Sequence, residues 1–179
     1  MSKELKLCSI AFDISSLKPV IDEASFDLNY RVYKNHVDDF NASRGDFAFN
    51  KAGAHLHQLY FENLRGIRAN NLPTGKIAQT IELRYGSYDN FVATLLEQGS
   101  RIQGNGWLFM NSAGYINIIP NNRIVDNIAM IIDVWEHAYV RVFGTHKEEY
   151  LRQHLSIINW DVVNQRLFEI DAKKKKKNP

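Results

Sequence analysis

Residues 128–139 constrain this chain more than any other part of it. An apolar run at 128–132 is followed by Asp133, and His137 comes four residues later. A run of this length predicts a buried strand, which would deliver both side chains into a dry pocket. A carboxylate oxygen and an imidazole nitrogen together suit Mn, Fe or Zn. The simpler alternative is a buried Asp–His hydrogen bond that ties the strand to the next helix.

The length and composition indicate a globular protein. The chain has 179 residues, enough for one good core or two small lobes that share one. No apolar stretch approaches the roughly 20 residues of a membrane-spanning helix. The first residues lack the apolar segment of a signal peptide, and the single cysteine, Cys8, excludes a disulfide within the chain. These features together predict an intracellular protein without membrane contact.

The formal net charge of +2 comes from five consecutive lysines, Lys173 to Lys177. Removing those five positive charges from +2 leaves −3, so the remainder is mildly acidic and gives no general reason to expect nucleic-acid binding. The lysine run itself can attract a phosphate backbone or another acidic surface. It can equally be a solvated end.

Periodic apolar residues predict helices in the first half of the chain. One stripe runs through residues 26–40 and a second through 50–64, with a polar loop between them. Two helices joined in this way should pack as an antiparallel hairpin. Further helices are predicted at 76–85 and 87–101.

The second half changes to strand patterns. Strands are predicted at 107–110, 115–119 and 124–134, followed by helices at 136–143, 147–158 and 162–168. The predicted fold class is α+β. An N-terminal helical-hairpin lobe (1–74) precedes a C-terminal lobe (75–172) with a three-stranded antiparallel sheet and helices, and a basic tail follows (173–179).

Other chemistry finds little support in the sequence. There is no Gly-rich phosphate loop and no CxxC pair, and Cys8 is expected to be an inert thiol. Three further histidines are expected on solvated faces or loops: His55, His146 and His154.

A series of motifs resembles the iron/manganese superoxide dismutase family, in the same order and over residues 17–167. They are Leu17-Lys18-Pro19, His57 with Phe61-Glu62-Asn63-Leu64, Pro73-Thr74-Gly75, Tyr85-Gly86-Ser87, Gly104-Asn105-Gly106-Trp107, Asp133-Val134-Trp135-Glu136-His137-Ala138-Tyr139 and Ile158-Asn159-Trp160.

The resemblance implies a two-lobed protein, usually dimeric or tetrameric, with one Fe or Mn between the lobes. The family holds this metal through three His and one Asp, and converts superoxide to oxygen and hydrogen peroxide. Carried over position by position, the resemblance implies that His57, Asp133 and His137 are metal ligands. Asn29 stands where the family has its fourth ligand, a His on the first helix.

Positions around the implied metal also depart from the family. His36 lies two helical turns from Asn29, about 11 Å along the axis, too far to replace the missing ligand in the same geometry. It is expected near the substrate entrance instead, where it is a weak candidate for a catalytic role. The family orients its metal-bound water with a Gln, whose place is taken by Gly53 on the second helix or by Asn122 after the second strand. Asn122 is therefore the candidate for this catalytic role, with a side chain one methylene shorter.

Two functions stay open on the sequence alone, the first as the prediction and the second as its alternative. The lost ligand and the altered surroundings favour a catalytically degenerate member that serves as a structural subunit of a large assembly, such as a virion or an organellar ribosome, and binds little or no metal. The retained His57, Asp133 and His137 favour an active Fe/Mn superoxide dismutase. A homodimer or a larger protein assembly is expected in either case.

Overall fold

The computed structural model describes residues 4–177, apart from the side chains of residues 175 and 177. In this part of the chain the helices are α1 (Glu23–Asn41), α2 (Phe47–Glu62), α3 (Gly75–Tyr85), α4 (Tyr88–Ser100), α5 (Glu136–Phe143), α6 (Lys147–His154) and α7 (Trp160–Lys177). The strands are β1 (Gly106–Asn111), β2 (Ile116–Pro120) and β3 (Ile128–Asp133). The predicted α+β fold class is confirmed. None of the described helices is both long and apolar enough to cross a membrane.

Helices α1 and α2 form the predicted hairpin. Each begins at an aspartate whose carboxylate accepts a hydrogen bond from the backbone N–H three residues later, Asp22 in α1 and Asp46 in α2. Such a cap satisfies a backbone donor that the helix itself leaves without a partner. Helix α2 therefore starts at Phe47, three residues before the predicted start, because Asp46 caps it.

The sheet has β1 at its centre, in the order β2-β1-β3, and both pairings are antiparallel. Trp107 of β1 pairs with Asp133 of β3, and Leu108 pairs with Ile132. Strand β3 begins four residues later than predicted, at Ile128. Its last residue, Asp133, lies at the end of the sheet beside Trp107.

The two faces of the sheet belong to different hydrophobic clusters. Successive side chains of a strand point to opposite faces, so Trp107 and Phe109 pack with the α1–α2 hairpin, whereas Leu108 and Met110 pack with the later helices. The hairpin thus shares its core with β1, and the division into two lobes at residue 74 stays a prediction.

Helix α7 is longer than predicted and continues into the lysine run as far as Lys177. Lys76 of α3 forms an ion pair with Asp171 on α7, and Lys174 donates a 3.0 Å hydrogen bond to Ser112. Positive charge at a helix C-terminus is also favourable because of the helix dipole. The lysines at 173–177 therefore extend α7, and residues 178–179 of the predicted tail lie outside the described part.

The prediction that His154 is solvated is wrong. His154 is completely buried, with its ring 5.7 Å from that of Tyr60 and 5.2 Å from that of Tyr150. It lies four residues after Tyr150 and hence on the same face of α6. Neither ring nitrogen has a hydrogen-bond partner, and burial lowers the pKa of His154 to about 3.

Changing His154 to Phe is expected to stabilise the fold and to weaken its pH dependence. The unfolded chain protonates this histidine near pH 6.5, but the folded chain does so only near pH 3. Between these values the free energy of unfolding falls as the pH falls, by about 1.4 kcal/mol per pH unit, because unfolding lets His154 take up one proton. The variant lacks this component and gains about 1–3 kcal/mol from losing two unsatisfied polar atoms.

Denaturant unfolding of the wild type and of His154→Phe, followed from neutral to acid pH, measures both effects. His146→Phe is the matched control, because His146 is exposed. An unchanged pH slope in His154→Phe would contradict the assignment of this proton to His154.

Candidate metal centre

Asp133, the last residue of β3, is completely buried. Its Oδ1 accepts a 2.9 Å hydrogen bond from the backbone N–H of Trp135, and its backbone carbonyl accepts one of 2.7 Å from the hydroxyl of Tyr150. Helix α5 begins at Glu136, so His137 lies in its first turn. The junction of β3 and α5 therefore fixes the carboxylate and places an imidazole beside it.

His57 reaches the same place from α2. Its ring is buried, and the hydrogen bond between its Nδ1 and the carbonyl of Gly53 measures 2.7 Å. Because a carbonyl only accepts, Nδ1 carries the proton and Nε2 keeps a free lone pair. Burial lowers the pKa of His57 to about 4, although nearby Asp133 acts in the opposite direction. His57 is therefore neutral at neutral pH, the form that binds a metal.

Ligand atoms of His57, Asp133 and His137 converge within 4.8 Å of one another. The Nε2 atoms of His57 and His137 lie 3.9 and 3.4 Å from Oδ2 of Asp133. Both nitrogens are buried without a hydrogen-bond partner. An ion with ligand bonds of about 2.2 Å can join atoms up to about 4.4 Å apart. The two measured distances meet this limit, and the nitrogen and oxygen donors suit Fe, Mn or Zn.

Asp133 and His137 also influence each other's charge. Burial opposes the charged form of both groups, but each lies against a partner of opposite sign. The pKa of Asp133 is consequently lowered and that of His137 is raised. A raised pKa makes protons stronger competitors of a metal at His137. Metal binding here should therefore weaken as the pH falls.

Asn29 lies at the same centre, at the position where the resemblance implies a fourth ligand. It belongs to α1 and is only 3% exposed. Its Nδ2 donates a 2.8 Å hydrogen bond to Oδ2 of Asp133, and its Oδ1 has no partner. Among the His, Cys, Asp and Glu side chains of the described residues, those of His57, Asp133 and His137 form the metal-ligating cluster at this centre.

His36 and Asn122 belong to a chain of hydrogen bonds beside the centre. Trp107 Nε1 donates to Asn122 Oδ1 at 3.0 Å, which turns Nδ2 of Asn122 toward Nε2 of His36 at 3.3 Å. His36 Nδ1 lies 3.0 Å from Oδ1 of Asn50, whose own amide donates to the carbonyl of Arg44. This order places the His36 proton on Nδ1 and directs Nε2 toward Asn122.

These contacts separate His36 from the ligand set. Both of its ring nitrogens face asparagine amides, and its ring centroid lies 5.4 Å from that of His57. His36 is thus a neighbour of a ligand and belongs to no metal-ligating cluster. It holds Asn122 in place, and the catalytic role of Asn122 stays a prediction.

Gly53 provides the space that the His36 ring occupies. A Cβ atom at Gly53 would lie 2.6 Å from His36 Cδ2 and 2.7 Å from Nε2, closer than nonbonded atoms approach. The ring of His36 on α1 therefore occupies the space beside Gly53, one of the two positions where the resemblance implies a Gln. The sequence contained no local signal for this contact, because the two residues lie on different helices.

Replacing Gly53 by Ala should destabilise the wild type but stabilise the His36→Ala variant. In the wild type the added methyl meets the His36 ring, and such overpacking costs about 1–3 kcal/mol. In His36→Ala the ring is absent, and Gly53→Ala should stabilise α2 by about 0.5–1 kcal/mol, the helix preference of alanine over glycine.

A double-mutant cycle in denaturant measures this coupling. Destabilisation of equal size in both backgrounds would show that the His36 ring does not fill the space at Gly53.

The sequence of this chain is similar to those of known proteins. Residues 73–166 match the family model of iron/manganese superoxide dismutases, C-terminal domain. The superoxide dismutase (Mn/Fe) of Porphyromonas gingivalis is 28% identical, with 90% of this chain and 98% of that protein aligned. The superoxide dismutase (Fe) of Bacteroides fragilis is 31% identical, with 86% and 94% aligned. Because these matches extend over most of its length, the chain belongs to the iron/manganese superoxide dismutase family.

Proposed function

We propose that this protein is an iron- or manganese-dependent superoxide dismutase whose metal has three protein ligands: His57, Asp133 and His137. The observation that carries the proposal is the convergence of buried ligand atoms, two of them without any other partner. The relatives that align over most of the chain are named superoxide dismutases. A bound Fe or Mn would supply one-electron chemistry by passing between its +3 and +2 states.

His36 and Asn122 would form part of a polar path from the centre to solvent. Formation of hydrogen peroxide from superoxide consumes protons, so a working site needs such a path. Asn122, which contacts His36, lines a surface groove of about 550 Å³. Lys51 and Arg123 also line this groove, against one carboxylate, Asp46. The excess positive charge would attract the superoxide anion toward Asn122.

A homodimer belongs to the same proposal. Leu28 and Val140 are 41% and 44% exposed, and they line a groove together with Glu136 and His137. Exposed apolar side chains next to a ligand histidine favour coverage by a partner. The family resemblance indicates a second copy of this chain as that partner.

The second candidate is a catalytically degenerate structural subunit of a large assembly, such as a virion or an organellar ribosome. Asn29 is the observation that favours it, because its amide gives the buried carboxylate of Asp133 a partner that does not depend on metal. Lys173, Lys174 and Lys176 are exposed at the end of α7. Their exposure supports contact with nucleic acid or another acidic surface.

Purified protein reconstituted with Fe or Mn is expected to hold about one metal per chain and to consume superoxide. His57→Ala removes a ligand and should lower metal affinity by at least about 100-fold, because loss of a residue that only hydrogen-bonds a ligand already lowers it by up to about that factor. Elemental analysis and a superoxide-consumption assay measure the two effects. His146→Ala, at an exposed position, is the control. Far less than one metal per chain in the wild type would favour the structural candidate.

A further inference from the structure

Asn29 has a hydrogen-bonding arrangement that a metal ligand would not have. Its Nδ2 points at Oδ2 of Asp133 and donates to it at 2.8 Å. An amide nitrogen has no lone pair available for a metal, so only Oδ1 of an asparagine can ligate. Rotating the amide to present Oδ1 would bring two oxygen acceptors into contact. The carboxylate of Asp133 therefore holds Asn29 in the orientation of a donor.

The amide oxygen of Asn29, Oδ1, is buried and makes no hydrogen bond within the protein. The same is true of Nε2 in His57, and Nε2 of His137 has only its 3.4 Å ion-pair contact with Asp133. Buried polar atoms are nearly always paired, with protein or with an ordered small molecule. A small species bound among these atoms would give them the partners that the protein does not.

We propose that Asn29 is a positioning residue and would leave one coordination position of a bound Fe or Mn open to a small oxygen species with an O–H group, such as water. Its amide N–H holds Asp133, and its amide oxygen accepts the hydrogen bond of the molecule in the open position. The inference rests on the proposed metal function and specifies its ligand set. Two histidines and one carboxylate with open positions are the donor set of non-haem iron sites that bind small molecules directly.

The test compares exchangeable water on Mn²⁺ bound to the full-length wild type, Asn29→Ala and Asn29→His. Water-proton relaxation reports the number of exchangeable waters on Mn²⁺, and competition with a chelator reports affinity. Asn29→His adds a ligand and should lose at least one exchangeable water while binding Mn²⁺ more tightly. Asn29→Ala removes the donor to Asp133 and the acceptor of the bound molecule but no metal ligand, so the number of waters should stay constant while affinity falls about 10–100-fold.

Asn35→His is the matched control, because Asn35 is an exposed residue of the same helix. Its water count and affinity should equal those of the wild type. If Asn29→Ala gains a water instead, Asn29 is a ligand and the inference is overturned. This readout stands even if Asn29→His does not fold.

Failure of this inference is distinguishable from failure of the proposed function. Mn²⁺ binding with the expected water counts but without superoxide consumption would overturn only the dismutase proposal. Superoxide consumption with an extra water in Asn29→Ala would overturn only the role of Asn29. A wild type that binds neither Mn²⁺ nor Fe²⁺ would overturn both.

Discussion

The buried carboxylate of Asp133 is the group on which the surrounding structure depends. An ionised carboxylate in a dry core is highly unfavourable unless its oxygens are paired. Here Asn29 of α1 donates to Oδ2 and the Trp135 backbone donates to Oδ1, while His57 of α2 and His137 of α5 lie close by. Removing one partner of a buried charge typically costs about 3–5 kcal/mol. The same charge that suits a metal therefore ties the N-terminal hairpin to the sheet.

The sheet register connects this carboxylate to the rest of the site. Because Trp107 pairs with Asp133 across β1 and β3, its indole lies beside the centre and can donate to Asn122. Asn122 in turn contacts His36, which occupies space that Gly53 leaves free. A change of register by one residue would turn these side chains to the opposite face. The position of His36 thus follows from the pairing of two strands on which it does not lie.

Much of the fold was predictable because its signals are local. The apolar periods of α1 and α2, the apolar runs of the strands and the junction at Asp133 all act within a few residues of sequence. Asp133 and His137 could be paired from their spacing, whereas His57 could be added only through the family resemblance, and the structure places the three together. The contact between His36 and Asn122 spans 86 residues of sequence and had no local signal. The burial of His154 was missed because one polar residue on a short helix was assigned to the solvent face, although its spacing from Tyr150 indicated the core.

The asparagine at position 29, where the resemblance implies a histidine ligand, acts differently on the fold and on a bound metal. Its amide gives Oδ2 of Asp133 a neutral hydrogen-bond donor that does not depend on metal. The folded state therefore needs a metal less for its stability, since a protein partner already compensates part of the charge of Asp133. A metal held by His57, Asp133 and His137 would have one protein ligand fewer than the four that the resemblance implies, and its affinity would be lower. One side chain can in this way support the fold while it weakens metal binding.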